Sequence, residues 1–323
     1  MGAAAKVVAR RPNRRRGYRR YRTVLLFMAP WIIGFSVFIL YPMVASLYYS
    51  FTKYDLLSLP VPIGLDNYRY MFTEDPRFWQ SIGNTLWIIA IGVPLRIVLS
   101  VATASLLMRA RRGAKFYRTI FFVPSIVPPV AAALAFVFVL NPATGPVNQL
   151  LSGVGVDNPP LWFFGAGWSK PAMLFLILWG IGDAIIIFLA GLLDVPKQLY
   201  EAADMEGASG WQKFRYVTLP MISPIIFFSL VIGVIQGFQF FSQAYVASLA
   251  VSGDTTTEIS TALGTPEGSL LFYSIYLYHE GFLAFRMGYA SAMAWVLFII
   301  TLVCTIAIIK SSRRWVHYQG GLQ

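Results

Sequence analysis

Cysteine and histidine are nearly missing from this chain. Its 323 residues include one cysteine, Cys304, and two histidines, His279 and His317. A single thiol excludes an internal disulfide and any zinc or iron–sulfur site built from several cysteines. Two histidines leave no basis for a His-rich metal site. Charge is scarce as well. Asp, Glu, Lys and Arg make up 12% of the sequence, against roughly 25% in a soluble domain. That is too little to cover the surface of a globular protein of this length, which argues against a water-soluble enzyme. The 57% share of hydrophobic residues argues equally against disorder. Also missing is any G-x-x-x-x-G-K-[ST] run, so the chain holds no Walker A loop for ATP.

What is present is apolar length. A helix needs about 20 mostly apolar residues to cross the hydrocarbon core of a bilayer. Six such stretches occur, at about Val24–Ala45, Thr85–Met108, Thr119–Leu140, Pro171–Leu193, Met221–Tyr245 and Met287–Ile309. The run Ala184-Ile185-Ile186-Ile187-Phe188-Leu189-Ala190 does not alternate as a barrel strand would. The expected architecture is an all-α polytopic membrane protein with six transmembrane helices.

Net charge is +12, with 26 Lys and Arg against 14 Asp and Glu. Nine of the 26 lie in residues 1–23: Lys6, Arg10, Arg11, Arg14, Arg15, Arg16, Arg19, Arg20 and Arg22. Five lie at Arg109, Arg111, Arg112, Lys115 and Arg118, three in 194–220, and three at Lys310, Arg313 and Arg314. With six spans these four segments share one side and hold 20 basic residues, against five in the other three loops. The positive-inside rule then places both termini in the cytoplasm. The basic tail reads as a topology anchor, and no interleaved aromatics support nucleic-acid binding. The resulting division is a tail over 1–23, a first helix over 24–45, an outer loop over 46–84, a five-helix core over 85–309 and a cytoplasmic tail over 310–323. The outer loops 46–84 and 246–286 have room for short interfacial helices. The Gly- and Pro-rich 141–170 loop is expected to be irregular. Pro124, Pro128 and Pro129 fall inside the third span, where they signify either a pathway-lining break or a plain kink.

The connection 194–220 is the most informative. Pro196 suits the first turn of a short helix over 196–206. Ala202 and Ala203 permit close approach by another surface, and Gly207 ends the helix in a left-handed conformation. A second short helix is expected over 209–217, leading to Leu219-Pro220. Helix–Gly–helix between two spans makes a rigid knob suited to docking a soluble partner.

Glu201-Ala202-Ala203, Gly207-Ala208 and Leu219-Pro220 resemble the EAA loop of permease subunits in ABC importers. Glu206 replaces the usual Asp of sugar permeases, and Val217 the common Ile. The resemblance continues through Pro30 and Gly34, Tyr41-Pro42, Ser50-Phe51, Gly64-Leu65-Asp66-Asn67-Tyr68, Phe78-Trp79, Asn84-Thr85, Pro124, Pro129, Gly145, Asn148 and Leu189-Ala190-Gly191-Leu192. These fit the carbohydrate-uptake group, similar to the maltose and glycerol-phosphate permeases. The resemblance implies a MetI-like permease fold in the plasma (inner) membrane. It implies a second permease subunit, two ATPase subunits and an extracytoplasmic solute-binding protein as partners. It also implies an EAA loop seated in the ATPase, with Glu201 bonded to an ATPase arginine. ATP and Mg would be used by the ATPase chain, and this chain would bind no cofactor and no nucleic acid. The expected solute is a sugar or oligosaccharide, the alternative a glycerol-phosphodiester or another polar non-sugar.

Residues for the solute pathway come from polar groups inside spans, which are costly unless they face partners or water. Gln236, Gln239 and Gln243 share one helical face beside Phe240 and Tyr245. They would line the pathway or make amide contacts between helices. Arg96 and Asp183 are charges 11 and 12 residues into the second and fourth spans. At about 1.5 Å per residue both lie roughly 16–18 Å below the same surface. They are expected to pair or to share a cavity, and Asp183 has solute contact as an alternative. Tyr273, Tyr276, Tyr278, Phe282 and Phe285 read as interfacial belt residues, with contact to a binding protein as the other reading. A membrane-embedded enzyme would need clustered His, Asp or Glu in the spans, where Asp183 stands alone. A secondary transporter needs no EAA-type dock and usually shows an internal repeat.

Overall fold

The computed structural model of the chain describes residues 14–109, 113–252 and 264–317. Lys6, Arg10 and Arg11 of the basic tail, Arg111 and Arg112 of the second basic segment, and parts of the last outer loop (253–263) and of the C-terminal tail (318–323) lie outside them.

The first helix is longer than its apolar run. α1 (Arg14–Phe35) continues through a π-helical turn at Ser36–Leu40 into α2 (Tyr41–Ser50). A two-stranded antiparallel ribbon follows, β1 (Thr52–Lys53) on β2 (Val61–Pro62), with Thr52 opposite Pro62. The short helix α3 (Asp66–Thr73) occupies the first expected outer loop. α4 (Pro76–Arg109) is a 34-residue helix that starts well before Thr85. At 1.5 Å per residue it reaches about 50 Å, beyond the hydrocarbon core of about 30 Å. The Ser50-Phe51 and Asn67-Tyr68 motifs meet here. The Asn67 amide donates to the Ser50 and Thr52 carbonyls at 2.9 Å, and the Tyr68 hydroxyl donates to Ser50 Oγ at 2.9 Å.

Three of the expected continuous spans are broken. The third consists of α5 (Ala114–Ile126) and α6 (Pro129–Val139), bent by 97°. Pro128 and Pro129 remove two successive amide donors, and the residue before a proline is driven out of the helical region. Val127 accordingly sits at φ −66°, ψ 129° and Pro128 at φ −55°, ψ 135°. The fourth consists of α8 (Ala166–Trp179) and α9 (Gly182–Leu193), bent by 50° at Gly180-Ile181. Between the third and fourth spans, the 141–170 loop is more ordered than its composition implies. It holds α7 (Pro146–Gly153) and a 3₁₀ turn at Trp162–Phe164. Asn148 ties this loop together, donating to the Pro160 carbonyl at 3.0 Å and accepting from Trp162 Nε1 at 2.6 Å.

The connection after α9 forms α10 (Lys197–Met205), α11 (Gly210–Lys213), a π-helical turn at Phe214–Thr218 and α12 (Leu219–Met221). The fifth span is α13 (Ser223–Phe238), interrupted at Gln239–Phe241 and resumed as α14 (Ser242–Ser252). α15 (Tyr273–Tyr278), a π-helical turn and α16 (Met287–Ser312) complete the chain. Counting each bent pair as one span, six segments among the described residues are long and apolar enough to cross a membrane.

α4 is central, packed against α9 and α13, while α13 also meets α16 and α6 meets α14. Among the described residues, burial divides into two clusters. One gathers Met71, Phe78, Phe163, Phe272, Tyr273 and Met293 near α3 and α15. The other gathers Leu107, Ile185, Phe188, Leu192 and Ile222 near α10, with Tyr200, Phe214 and Val217 packed on it. The 194–222 connection therefore rests on a core of its own. By contrast, none of the best apolar window of the first helix is buried within the chain.

Candidate functional site

The loop of Glu201–Pro220 is a preformed knob. Pro196, expected in the first turn of α10, stands one residue before it as the N-cap, at ψ 129°. At the other end Gly207 adopts φ +74°. Its amide donates to the Asp204 carbonyl at 3.0 Å, and the Ala208 amide donates to the Ala203 carbonyl at 2.9 Å. This is a Schellman turn, in which the residue after the glycine meets the residue five positions back. Ala203 and Ala208 are therefore the two ends of one stop signal. Ser209 and Gln212 cap the next helix reciprocally, with bonds of 3.3 and 2.6 Å. The expected helix 209–217 is α-helical to Lys213 and then widens into the π turn. Lys213 pairs with Asp204 across the turn. Tyr200 and Thr218 share a hydroxyl–hydroxyl bond of 2.9 Å that holds α10 to the π turn. On this frame Glu201, Ala202, Met205, Trp211, Tyr216 and Leu219 are exposed, while Pro220 is half-buried.

The three helix breaks converge. Pro124, Ser125, Val127 and Pro129 of the third span, Trp179 and Gly180 of the fourth, and Gln239–Gln243 of the fifth line one cavity of about 370 Å³. Gln236, Gln239, Phe240 and Gln243 all face it. The glutamines meet there although the helix breaks between them. Tyr245 lies outside the lining and stacks on Phe241, ring centroids 5.1 Å apart. Close approach shapes the fourth-span break, since a Cβ at Gly182 would stand 2.2 Å from the Phe121 carbonyl oxygen.

Arg96 and Asp183 pair. Arg96 Nη2 donates to both Asp183 oxygens, at 2.9 and 2.7 Å, and Nη1 reaches Gln236 Oε1 at 3.4 Å. Arg96 also lines the large cavity, and together with Asp183 it lines a second, smaller cavity of about 70 Å³. Asp183 is in the first turn of α9, where the helix dipole favours a negative charge. The Asp183 side chain is 52% exposed and that of Arg96 26%, so the pair lies on an open face of the chain.

A polar cluster with no signal in the sequence lies at the opposite end from the knob. Asp75 is 3% exposed. It caps α4 through the Arg77 and Phe78 amides and accepts from the hydroxyls of Tyr276, at 2.6 Å, and Tyr289. Burial, together with the bond to Asp75, holds the Tyr276 phenol far above its ordinary pKa. Buried Glu280 accepts from Arg286 at 2.9 Å and contacts His279 Nδ1 at 3.0 Å. Tyr273 and Tyr276 are thus core residues rather than belt residues, 1% and 3% exposed. Phe282 and Phe285 are exposed. Among the described residues no group of three or more His, Cys, Asp or Glu is placed to hold a metal ion.

The family described as the inner membrane component of binding-protein-dependent transport systems matches residues 96–317. The probable ABC transporter permease protein YesP of Bacillus subtilis (strain 168) is 41% identical over 295 residues, covering 91% of each chain. The arabinooligosaccharides transport system permease protein AraP of the same strain is 31% identical, covering 91% of this chain and 90% of that one. Among solved structures, a bacterial ABC transporter involved in import of the acidic polysaccharide alginate superposes with a TM-score of 0.72. Identity there is 25%, over 93% of this chain and 98% of that one.

Proposed function

The chain belongs to the family of binding-protein-dependent transport inner membrane components, and on that premise we propose that it carries a sugar or oligosaccharide handed over by an extracytoplasmic binding protein. As a member, it is a transmembrane permease subunit of an ABC importer, a transport component rather than an enzyme. The observation that carries the carbohydrate reading is the open cavity. Gln236, Gln239 and Gln243 offer amide donors and acceptors there beside the faces of Trp179, Phe240 and Phe241. Paired hydroxyl groups on an apolar ring face are what such a wall accommodates. The arabinooligosaccharide relative is named for a solute of that kind. A glycerol-phosphodiester would call for a cationic wall, and the cavity's Arg96 is compensated by Asp183.

The knob of Glu201, Ala202, Ala203, Gly207, Ala208, Leu219 and Pro220 docks into a separate ATPase subunit. That subunit uses ATP and Mg, and two copies serve two permeases. Rigid capping at both ends of the turn supports this role, because a loop that passes on motion must not absorb it. The knob and both termini face the cytoplasm, as the basic segments direct. The unburied first helix and the open cavity face lipid and a second permease subunit.

The test is reconstitution of this chain with its ATPase, second permease and binding protein in proteoliposomes. Neutral oligosaccharides are expected to raise the ATPase rate and to accumulate with ATP. Stimulation by a non-carbohydrate solute alone would overturn the carbohydrate reading.

A further inference from the structure

The two cavities share a boundary. Val93, Arg96, Gly233 and Gln236 line both of them. The larger one takes Ile88 and Gly92 from α4, Leu176, Ile177, Trp179 and Gly180 from the fourth span and Gln239–Gln243 from the fifth. The smaller one takes Ile97 from α4, Asp183, Ile187 and Phe188 from α9, and Phe228 and Ile232 from α13. α4 and the fourth span run toward the knob, and α13 runs away from it. All three elements therefore give the same order: large cavity on the outer side, small cavity toward the knob, and the Arg96–Asp183–Gln236 layer between.

We propose that this hydrogen-bonded layer is a polar gate across this subunit's half of the translocation pathway, closed by the Arg96–Asp183 pair. The proposal rests on the transport reading above. Three elements contribute one residue each: Arg96 from α4, Asp183 from α9 and Gln236 from α13. Asp183 stands one residue past the N-terminus of α9, directly beyond the Gly180-Ile181 bend. Rotation of α9 about that bend carries the carboxylate away from Arg96 without unwinding a helix. The exposure of the pair on an open face means that a solute moving along that face meets it. Its charges cancel, and the guanidinium keeps N–H groups beyond those given to Asp183. The layer therefore offers donors to a neutral hydroxyl-rich solute at its edge, with no net field to hold that solute in place. Arg96 and Gln236 touch the solute path, and Asp183 acts through Arg96 as a positioning residue.

The experiment uses the complete importer in proteoliposomes, without nucleotide, in a Cys304→Ser background. Ser229→Cys lies below the layer, against the small cavity, and Ser242→Cys lies above it, against the large one. The probe is 2-sulfonatoethyl methanethiosulfonate, a thiol reagent that does not cross the bilayer, added outside. Conditions are those in which Ser242→Cys labels at the same rate in every variant. With the native pair, Ser229→Cys should label slowly. Arg96→Leu and the isosteric Asp183→Asn should each speed it by about tenfold, as expected when a closed equilibrium loses its main contact. The exchange Arg96→Asp with Asp183→Arg should slow it again. Unchanged labelling in both single variants, or an exchange that stays fast, overturns the gate. The two readings fail separately: loss of ATP-driven uptake in the unmodified complex removes the transport reading, whereas normal uptake with unchanged labelling removes the gate alone.

Discussion

The amide of Ala208 donates to the carbonyl of Ala203 at 2.9 Å, with Gly207 between them at φ +74°. The spacing of the E-A-A and G-A elements thus has a local cause, the closing of α10. Replacing Gly207 with valine forces a β-branched residue into the left-handed region, at a cost of about 1–2 kcal/mol. The expected result is a complex that reaches the membrane but retains much less ATPase subunit on purification. Gly207→Asn, which tolerates that conformation better, should retain more.

Glu201 is exposed on α10, and among the described residues its side chain makes no hydrogen bond or ion pair. Glu201→Lys should leave the thermal stability of the isolated permease unchanged and abolish co-purification of the ATPase. A variant that still binds ATPase and transports normally would remove Glu201 from the docking surface.

Asp75 accepts from two buried phenols and caps α4. Asp75→Ala strands those donors and should destabilise the chain by about 3 kcal/mol or more, hydrogen bonds to a charged group being among the stronger ones. Tyr289→Phe removes one donor and leaves the carboxylate its other partners, so a smaller loss of about 1–2 kcal/mol is expected. Thermal unfolding followed by tryptophan fluorescence checks the order.

Gly182 has no room for a side chain, with Phe121 O at 2.2 Å and Phe122 Cα at 2.8 Å from a built Cβ. Gly182→Ala must push α5 away from α9, and overpacking of this kind costs about 1–3 kcal/mol. A lowered Tm together with reduced transport is expected. A variant as stable as the native chain would show that the two helices part freely.

Gln239 projects into the large cavity at the fifth-span break. On the carbohydrate reading, Gln239→Leu takes away an amide contact to solute and should raise the half-saturating solute concentration roughly threefold to tenfold, the equivalent of one hydrogen bond. The basal ATPase rate should stay as it was.

Local signals carried much of this from the sequence. Apolar length marked the six spans, and the depths of Arg96 and Asp183 followed from rise per residue, so their meeting was within reach. The turn at Gly207 needed only neighbouring residues. The bends were harder. Pro124, Pro128 and Pro129 were visible, but whether they kink a helix or fold it by 97° depends on what packs around Val127. The fourth-span break has no proline at Gly180-Ile181, and glycines such as Gly180 and Gly182 inside an apolar run are a weak signal. Tyr276 looks like an interfacial aromatic in the sequence because its partner, Asp75, lies 201 residues away. Nothing in a single sequence joins residues so far apart.

The 12-residue α9 joins two places described separately above. Its first turn carries Asp183, and its last residue, Leu193, leads through Val195 and Pro196 into α10. As a rigid rod about 18 Å long, it swings its far end by about 3 Å for a 10° tilt at the bend. On the gate reading, α9 would turn as a lever about Gly180-Ile181. A displacement of a few ångströms imposed on the knob would then reach the fulcrum end as a rotation of the Asp183 carboxylate. Shortening or softening this rod should separate ATP hydrolysis from solute movement while leaving each able to occur.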